Sequence, residues 1–178
     1  MRIVSGEERG RRIRYPATGL RPTRQVVKQA IMNQLRPLLK GARVCDLFCG
    51  AGGLGLEAIS NGAASVVFVE QDRRTLGCLR DNVRPLGAKA RIVAGDALKI
   101  IVRLAGSEFD IVLADPPYEK GLDQALLDAA AEHDLLRREG ILVLEHSRRD
   151  RPQPPAGFTL LKSRRFGDTV VSTYKREV

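Results

Sequence analysis

Short apolar runs alternate with amphipathic segments along the chain after residue 42. Near-continuous apolar runs of this length are typical of strands in a parallel sheet that is covered on both faces. They predict five strands, over residues 43–48, 66–70, 90–94, 109–114 and 140–145. The segments between them predict helices over about residues 54–60, 73–85, 97–104 and 122–135. This repeated order predicts a doubly wound, Rossmann-like α/β fold.

The two ends of the chain have a different pattern. Residues 2–4 and 11–14 predict two short strands of a hairpin. A helix is predicted from a cap at Thr23 to about residue 36, where Pro37 ends it. Its apolar face is expected to hold Val27, Ile31, Leu35 and Leu38. Residues 158–166 and 169–174 predict an antiparallel hairpin. We therefore expect an N-terminal extension over residues 1–42 and a sheet domain over residues 43–178.

Charge is unevenly distributed along the 178 residues. The net charge of +9 falls entirely within residues 1–43, where 11 Lys and Arg residues face only Glu7 and Glu8. The rest of the chain holds 19 residues of each sign, with a second basic surplus after residue 145. Segregated positive charge favours a polyanionic partner. The absence of tryptophan and the low number of other aromatic residues argue against an extended base-stacking platform.

Composition also excludes several classes of protein. No apolar run approaches the roughly 18 residues needed to span a bilayer, and the N-terminus lacks the apolar region of a secretory signal. The sequence contains three cysteines, Cys45, Cys49 and Cys78, and no C-x-x-C pair. Their odd number and their spacing argue against a disulfide framework and a zinc site. We expect a cytoplasmic protein with no metal and no membrane partner.

A glycine-rich loop connects the first strand of the predicted sheet to the next helix. Gly50, Gly52 and Gly55 match the pattern G-x-G-x-x-G, in which the backbone passes close to a ligand. Glu70 ends the next strand, 20 residues after Gly50. A carboxylate there can accept hydrogen bonds from both hydroxyls of a ribose. The order of strand, loop, helix, strand and acid predicts a nucleoside site.

The acid before the loop indicates which nucleoside derivative binds. Asp46 would repel the pyrophosphate of NAD but would attract a ligand that carries an ammonium group. We therefore predict S-adenosylmethionine, which has an ammonium, a sulfonium and no phosphate. Asp96 can reach the adenine amine as well as cap a helix. The residues expected around this cofactor are Asp46, Phe48, Cys49, Gly50, Ala51, Gly52, Glu70, Gln71, Gly95, Asp96 and Ala97.

A second loop, Asp115-Pro116-Pro117-Tyr118, follows the fourth predicted strand of the sheet. Its prolines fix φ and remove backbone donors, so its carbonyls can act as rigid acceptors. The Asp115 carboxylate and the Pro116 carbonyl can hold the two N–H groups of an exocyclic amine, which makes its nitrogen nucleophilic. Tyr118 can stack on the base. We therefore predict methylation of a base amine, with Asp115, Pro116 and Tyr118 as catalytic residues.

These motifs together resemble the RsmD-type methyltransferases, which methylate the N2 amine of a guanine in bacterial 16S ribosomal RNA. The resemblance covers nearly the whole chain and rests on residues 2–6, 9–12, 20–23, 46–57, 60–63, 69–70, 95–97 and 115–118. After Thr23 the chain departs from the family, with Arg24-Gln25-Val26-Val27-Lys28-Gln29 where Thr-Asp-Arg-Val-Arg/Lys-Glu is usual.

The resemblance implies a seven-stranded methyltransferase sheet with an N-terminal hairpin extension. It implies S-adenosylmethionine as methyl donor, Glu70 on the ribose, and Asp115 with Tyr118 at the target amine. We expect a monomer that acts on 16S rRNA within the small ribosomal subunit or its precursor. The expected RNA contacts are Arg9, Arg11, Arg12, Arg21, Arg24 and Lys28. The pairs Arg148-Arg149 and Arg164-Arg165 fit either RNA contacts or a solvated face.

Other functions stay open on the residues alone. The Asp-Pro-Pro-Tyr loop also fits an enzyme for adenine N6 or for a protein glutamine, although the chain has no length for a separate DNA-recognition domain. A nucleic-acid-binding protein with a vestigial cofactor pocket would fail to bind labelled S-adenosylmethionine. An NAD oxidoreductase would need a hydride-transfer site, and nothing after Glu70 suggests one.

Overall fold

The computed structural model describes residues 1–17, 24–118 and 121–177. Its helices are α1 (Gln25–Leu39), α2 (Gly53–Ser60), α3 (Arg73–Val83), α4 (Ala97–Arg103) and α5 (Leu122–Glu132). Its strands are β1 (Arg43–Leu47), β2 (Ser65–Glu70), β3 (Ala90–Ala94), β4 (Phe109–Ala114), β5 (Leu136–Ser147), β6 (Phe158–Phe166) and β7 (Thr169–Arg176). The strands form one sheet in the order β3-β2-β1-β4-β5-β7-β6.

The direction of the strands confirms the predicted fold class. Strands β1 to β5 pair in parallel, whereas β7 is antiparallel to both β5 and β6. The chain leaves β1 toward β2 on one side and returns to β4 on the other, so the strand order reverses between β1 and β4. In doubly wound sheets, ligands bind at such a reversal, beyond the carboxyl ends of the strands.

The sheet separates two hydrophobic cores. Alternate residues of a strand face opposite sides, so Val44 and Ile111 belong to one core and Cys45 and Val112 to the other. The first core also takes in the buried faces of α1, α2 and α3, and the second takes in those of α4 and α5. Each strand of the parallel part therefore needs apolar residues on both faces, which explains the near-continuous runs in the sequence.

The N-terminal hairpin is shorter than its predicted strands. The described part holds a single antiparallel bridge, between Arg2 and Arg12, with a hydrogen bond of 2.9 Å from the Ile3 amide to the Arg11 carbonyl. Ile3 and Ile13 lie in the same core as Val44. The hairpin packs against helices and does not extend the sheet, so it gains stability without a long ladder. Residues before and after position 42 share one hydrophobic core, so no boundary between cores lies there. Independent folding of residues 43–178 stays a prediction.

Helix α1 differs from its prediction at both ends. Thr23, the predicted cap, lies outside the described residues. The helix continues through Pro37 to Leu39, because a proline in the last turn removes only one helical hydrogen bond. Its buried apolar residues are Val27, Ile31, Met32, Leu35 and Leu39. Leu38, predicted to be buried, is 49% exposed, because Leu39 takes the position four residues after Leu35.

Several other boundaries differ from the prediction by one to four residues, among them the end of α5, at Glu132 and not 135. β1 ends one residue early because Phe48 has a φ of +55° and leaves the extended conformation. β5 begins four residues early, where Leu136 pairs with Phe109 before the register shifts at the polar segment 137–139. This first part of the strand has no apolar signal in the sequence, because Arg137, Arg138 and Glu139 are polar and exposed. Among the described helices, none combines the length and apolar character needed to cross a membrane.

Candidate active site

A cavity of about 430 Å³ lies at the carboxyl ends of β1 and β4, where the strand order reverses. It also reaches the ends of β2 and β5 and the start of β7. Ten of the predicted cofactor and catalytic residues line it: Asp46, Phe48, Cys49, Gly50, Ala51, Glu70, Gln71, Asp115, Pro116 and Tyr118. The structure thus brings the loop after β1 and the loop after β4 to the two sides of one cavity.

Four predicted cofactor residues lie outside the walls of this cavity: Gly52, Gly95, Asp96 and Ala97. Asp96 caps α4, since its Oδ1 accepts a hydrogen bond of 3.0 Å from the Lys99 amide. The amide of Gly95 donates to the Glu70 carbonyl at 2.9 Å. A contact between Asp96 and an adenine stays a prediction.

The second and third glycines of the motif are required by packing. A Cβ on Gly52, whose φ is +88°, would lie 2.8 Å from Leu79 Cδ1. A Cβ on Gly55 would lie 2.3 Å from a ring carbon of Phe68 and 2.9 Å from Asp46 Oδ2. Gly52 thus leaves room for Leu79 of α3, and Gly55 allows α2 to pack closely against β1 and β2. Of the three motif glycines, only Gly50 lines the cavity.

Asp46 is a buried acid at the floor of the cavity. Its Oδ2 accepts a hydrogen bond of 2.8 Å from the Gly55 amide. Burial raises the pKa of Asp46 to about 8, opposed by that hydrogen bond and reinforced by the charges of Asp115 and Glu70. Three carboxylates therefore converge on one cavity. This arrangement favours a cationic ligand and would repel a pyrophosphate.

Glu70 holds the glycine loop in place. Its Oε2 accepts from the Gly50 amide at 2.9 Å, and its Oε1 accepts from the amides of Gln71 and Asp72, each at 2.8 Å. A carboxylate offers about four acceptor positions, so about one remains, on Oε2, for a ligand hydroxyl. The sequence prediction assigned both ribose hydroxyls to Glu70. The second hydroxyl would have to replace one of the backbone donors.

Phe48 lies in a strained conformation between β1 and the glycine loop. A φ of +55° is unusual for a bulky residue, and such strain is kept only where the surrounding structure requires it. The next amide, that of Cys49, donates to the Val69 carbonyl at 3.0 Å, which fixes the turn. The half-buried Phe48 ring lines the cavity as a result.

The loop after β4 is anchored through its tyrosine. The Tyr118 hydroxyl donates to Glu145 Oε1 at 3.0 Å and lies 2.9 Å from Thr169 Oγ1. Burial, opposed by the bond to Thr169, raises the pKa of Tyr118, so the hydroxyl stays protonated. Glu145, in β5, and Thr169, in β7, thus orient the ring toward the cavity that they also line. Of the two, only Glu145 has a signal in the sequence, as an acid at the end of an apolar strand.

The N-terminal region contributes two further residues to the cavity wall, Tyr15 and Arg24. The Tyr15 hydroxyl lies 2.9 Å from the position of a Cβ on Gly53, so a larger residue there would displace the tyrosine. Burial raises the pKa of Tyr15 to about 12, with Asp46 contributing. Arg24, predicted as an RNA contact, is exposed at the rim, where its guanidinium donates to the Phe166 carbonyl. Sequence patterns gave no signal for Tyr15.

Asn82 joins the N-terminal region to the glycine loop. Its Nδ2 donates to the Ala51 carbonyl at 3.0 Å and to the Arg14 carbonyl at 2.9 Å. Its Oδ1 accepts from the Arg14 amide at 2.9 Å. One buried amide side chain therefore connects α3, the cavity loop and the segment before α1.

Lys28 cannot contact RNA in this structure, which corrects its prediction. Its side chain is fully buried, and Nζ forms an ion pair of 2.8 Å with Glu57 Oε1, which is also fully buried. Nζ also donates to the Arg2 carbonyl at 3.2 Å. Lys28 lies beside Val27 on the buried side of α1 and faces α2. The pair joins two helices at a position that no phosphate can reach.

The other predicted RNA contacts differ in their accessibility. Arg9 and Arg12 are exposed. Arg11 is half-buried, where it donates to the Asn82 carbonyl and forms an ion pair of 3.4 Å with Glu8. Arg21 lies outside the described residues. Within the described part, no group of three or more His, Cys, Asp or Glu side chains has an arrangement that could hold a metal ion.

Comparison with known proteins agrees with this geometry. The family model described as Conserved hypothetical protein 95 matches residues 1–175. The chain belongs to this family. Ribosomal RNA small subunit methyltransferase D of Escherichia coli K12 is 33% identical over 180 residues, which cover 99% of this chain and 90% of the relative. The protein of the same name from Haemophilus influenzae is 31% identical over 173 residues, 94% and 89% of the two chains. The family inferred from the motifs is confirmed.

Solved structures show the same fold. The yhhF protein of Escherichia coli superposes with a TM-score of 0.91 at 32% identity, over 99% of this chain and 98% of that one. The SMU.776 structure, solved in complex with SAH, superposes with a TM-score of 0.72 at 16% identity, over 89% and 51% of the two chains. At that identity the second comparison supports the fold alone. The predicted seven-stranded, Rossmann-like methyltransferase fold is therefore confirmed.

Proposed function

We propose that the chain transfers a methyl group from S-adenosylmethionine to the exocyclic N2 amine of a guanine in small-subunit (16S) ribosomal RNA. The observation that carries this proposal is the single cavity lined by Asp46 and Glu70 on one side and by Asp115 and Tyr118 on the other. Methylation of small-subunit ribosomal RNA is the activity in the name of the Escherichia coli relative.

The acids of the cavity fit the proposed cofactor. S-adenosylmethionine supplies an electrophilic methyl group on a positively charged sulfur when it is bound. The Asp46 carboxylate, buried and close to Asp115 and Glu70, would balance that positive charge and the ammonium. Glu70 Oε2 retains an acceptor position for a ribose hydroxyl. A volume of about 430 Å³ lies within the usual range for small-molecule sites.

The loop after β4 fits an amine substrate. The Asp115 carboxylate and the carbonyl of the buried Pro116 would accept the two N–H groups of the amine. The nitrogen lone pair then points toward the methyl group, and Asp115 can take the proton that the nitrogen loses. Tyr118 would stack on the base, a contact worth about 1–3 kcal/mol. Because the base must first leave its helix stack, the main contribution of these residues is positioning.

The proposed partner is RNA within the small ribosomal subunit or its precursor, bound by a monomer. Exposed Arg9, Arg12 and Arg24 are the remaining N-terminal candidates for phosphate contacts among the described residues. Phosphate contacts of this kind orient a protein on its substrate without reading the sequence.

The test uses small ribosomal subunits and total protein from a strain that lacks the gene for this chain. Purified protein with labelled S-adenosylmethionine should label 16S rRNA, and nucleoside analysis should find N2-methylguanine at a defined position. Asp115→Asn is the matched variant, since it keeps the side-chain size and should label 16S rRNA about 10–150-fold more slowly. Label in N6-methyladenine or in protein glutamine would replace the guanine assignment by one of the alternatives.

A further inference from the structure

A second groove begins where the active-site cavity ends. The α1–β6 groove has a volume of about 520 Å³, and its lining includes Gln25, Val26, Gln29, Asn33, Arg164 and Phe166. Arg24 joins the two sites, because it lines the cavity and its guanidinium donates to the carbonyl of Phe166, which lines the groove. The groove and the cavity are therefore neighbours on the two sides of Arg24.

The groove has the chemistry of a nucleotide site. Its lining contains three neutral amides and one cation, and no acid occurs among its lining residues. The Arg164 guanidinium lies over the Phe166 ring, with 5.0 Å between its carbon and the ring centroid. Side-chain amides bond to base edges and sugar hydroxyls, and a planar guanidinium stacks on bases or contacts phosphates.

The position of β6 points its basic end toward the reaction centre. β6 is the edge strand of the sheet, and Phe166 pairs with Thr169, the residue that contacts the Tyr118 hydroxyl. Arg164 and Arg165 are exposed near this end. The positive charges of the strand thus lie at the same edge of the sheet as the cavity.

We propose that the α1–β6 groove binds the unpaired RNA strand that continues from the target nucleotide. This inference rests on the proposed function, since extrusion of the target base leaves its neighbours unstacked and accessible. Arg24 then contacts the phosphate between the target and the next nucleotide. Arg164 and the amides of Gln25, Gln29 and Asn33 hold that next nucleotide.

The experiment compares three variants that each lower the net charge by one. Arg164→Gln removes the cation of the groove. Gln25→Glu is isosteric and adds a carboxylate to the first turn of α1, which has no acid. An acid there favours the helix, so folding should be preserved. Arg91→Gln is the matched control, because Arg91 is exposed on β3, the opposite edge strand.

Each protein is titrated with purified, unmethylated 16S rRNA at several salt concentrations. Arg164→Gln should lower the salt-dependence slope by about 0.7, the value for one contact to a single strand. Gln25→Glu should weaken binding several-fold, while Arg91→Gln behaves like the unmodified protein. With subunits as substrate, the first two variants should raise KM with kcat and cofactor affinity within about twofold.

Equal effects of Arg164→Gln and Arg91→Gln would overturn the inference, because the groove would then be ordinary charged surface. Lost binding to intact subunits with normal binding to naked 16S rRNA would also overturn it, since a ribosomal protein would then be the contact. If the unmodified protein methylates no 16S rRNA, the proposed function fails, while the binding curves still decide whether RNA occupies the groove.

Discussion

The N-terminal region and the C-terminal hairpin are both basic, lie outside the series of parallel strands and reach the same cavity. The N-terminal region and the edge strand β6 of the hairpin use their charges differently. Lys28 and Arg11 of the N-terminal region turn inward, to Glu57 and to the Asn82 carbonyl. In the C-terminal hairpin, every residue of β6 from Thr159 to Arg165 is exposed. The more basic of the two regions thus commits part of its charge to the fold.

Glu57 shows why the summed charge of a segment misleads. Its carboxylate accepts from the amides of Val4 at 2.7 Å and Ser5 at 3.3 Å, and from Lys28 Nζ at 2.8 Å. One buried acid on α2 therefore binds the hairpin and α1 together. A buried charge needs such partners, and a lysine that supplies one of them is not available to RNA. Position in the fold decides which cations can meet a polyanion.

The largest expected effect tests the buried ion pair between Lys28 and Glu57. Lys28→Met leaves Glu57 buried without its cation, which should lower the free energy of unfolding by about 3–5 kcal/mol. Urea unfolding followed by circular dichroism measures this loss. Lys40→Met is the control, since Lys40 is exposed just after α1 and should change stability by less than about 0.5 kcal/mol. Equal stability of the two variants would show that Lys28 is no more important to the fold than a surface lysine.

The second effect concerns the cavity between the two regions. Asp115→Asn should lower kcat by about 10–150-fold, the equivalent of one hydrogen bond to a charged group at about 1.5–3 kcal/mol. Single-turnover methyl transfer and calorimetry with S-adenosylmethionine measure it. Cofactor affinity should stay within a few-fold of that of the unmodified protein. The salt-dependence slope of RNA binding should stay close to that of the unmodified protein. A collapse of cofactor affinity with normal turnover of the bound fraction would move Asp115 to the cofactor side.

The third effect is the pH dependence of cofactor binding. A bound cation favours the ionised form of Asp46, whose pKa is raised to about 8. Affinity should therefore rise with pH up to about 8, by about tenfold per unit well below that value, and binding should release a proton. Calorimetry in buffers of different ionisation enthalpy measures both. Asp46→Asn should bind more weakly and lose this dependence, which separates it from titration of the ligand's own ammonium.

The smallest effect tests the link between the C-terminal hairpin and the reaction. Thr169→Val removes one of the two partners of the Tyr118 hydroxyl and should lower kcat by about 2–10-fold, or about 0.5–1.5 kcal/mol. Tyr118→Phe removes both. If the two residues act through one hydrogen bond, adding Thr169→Val to Tyr118→Phe should change nothing further. Additive losses would place Thr169 in some other role.

Most of the fold was predictable because the parallel strands have an apolar signal on both faces. The first four strands of the sheet were predicted to within one residue at each end, including β3 and β4 without error. The polar start of β5 and the single bridge of the N-terminal hairpin carry no such signal. They depend on partners far away in sequence, Phe109 and the surface of α2.

The site was predictable where a motif marks it. The acids Asp46, Glu70 and Asp115 lie at the carboxyl ends of adjacent strands, so the fold class alone brings them together. The burial of Lys28 depends on its ion pair with Glu57, 29 residues later. No spacing rule in the sequence shows that these two side chains meet. No spacing rule shows that the Tyr15 hydroxyl lies close to Gly53 either. Contacts between segments distant in sequence set these positions, and they are visible only once the packing is known.

Because of the Asn82 side chain, ligand binding in the cavity should be detectable at a residue outside the cavity. It bonds to the Ala51 carbonyl in the cavity loop and to both backbone groups of Arg14. Coupling between two sites is reciprocal, so whatever orders the loop around Ala51 must also hold the Arg14 amide more firmly. Hydrogen exchange at Arg14 should slow when the cavity is filled. An amide outside the cavity wall thus becomes a reporter of what the cavity contains.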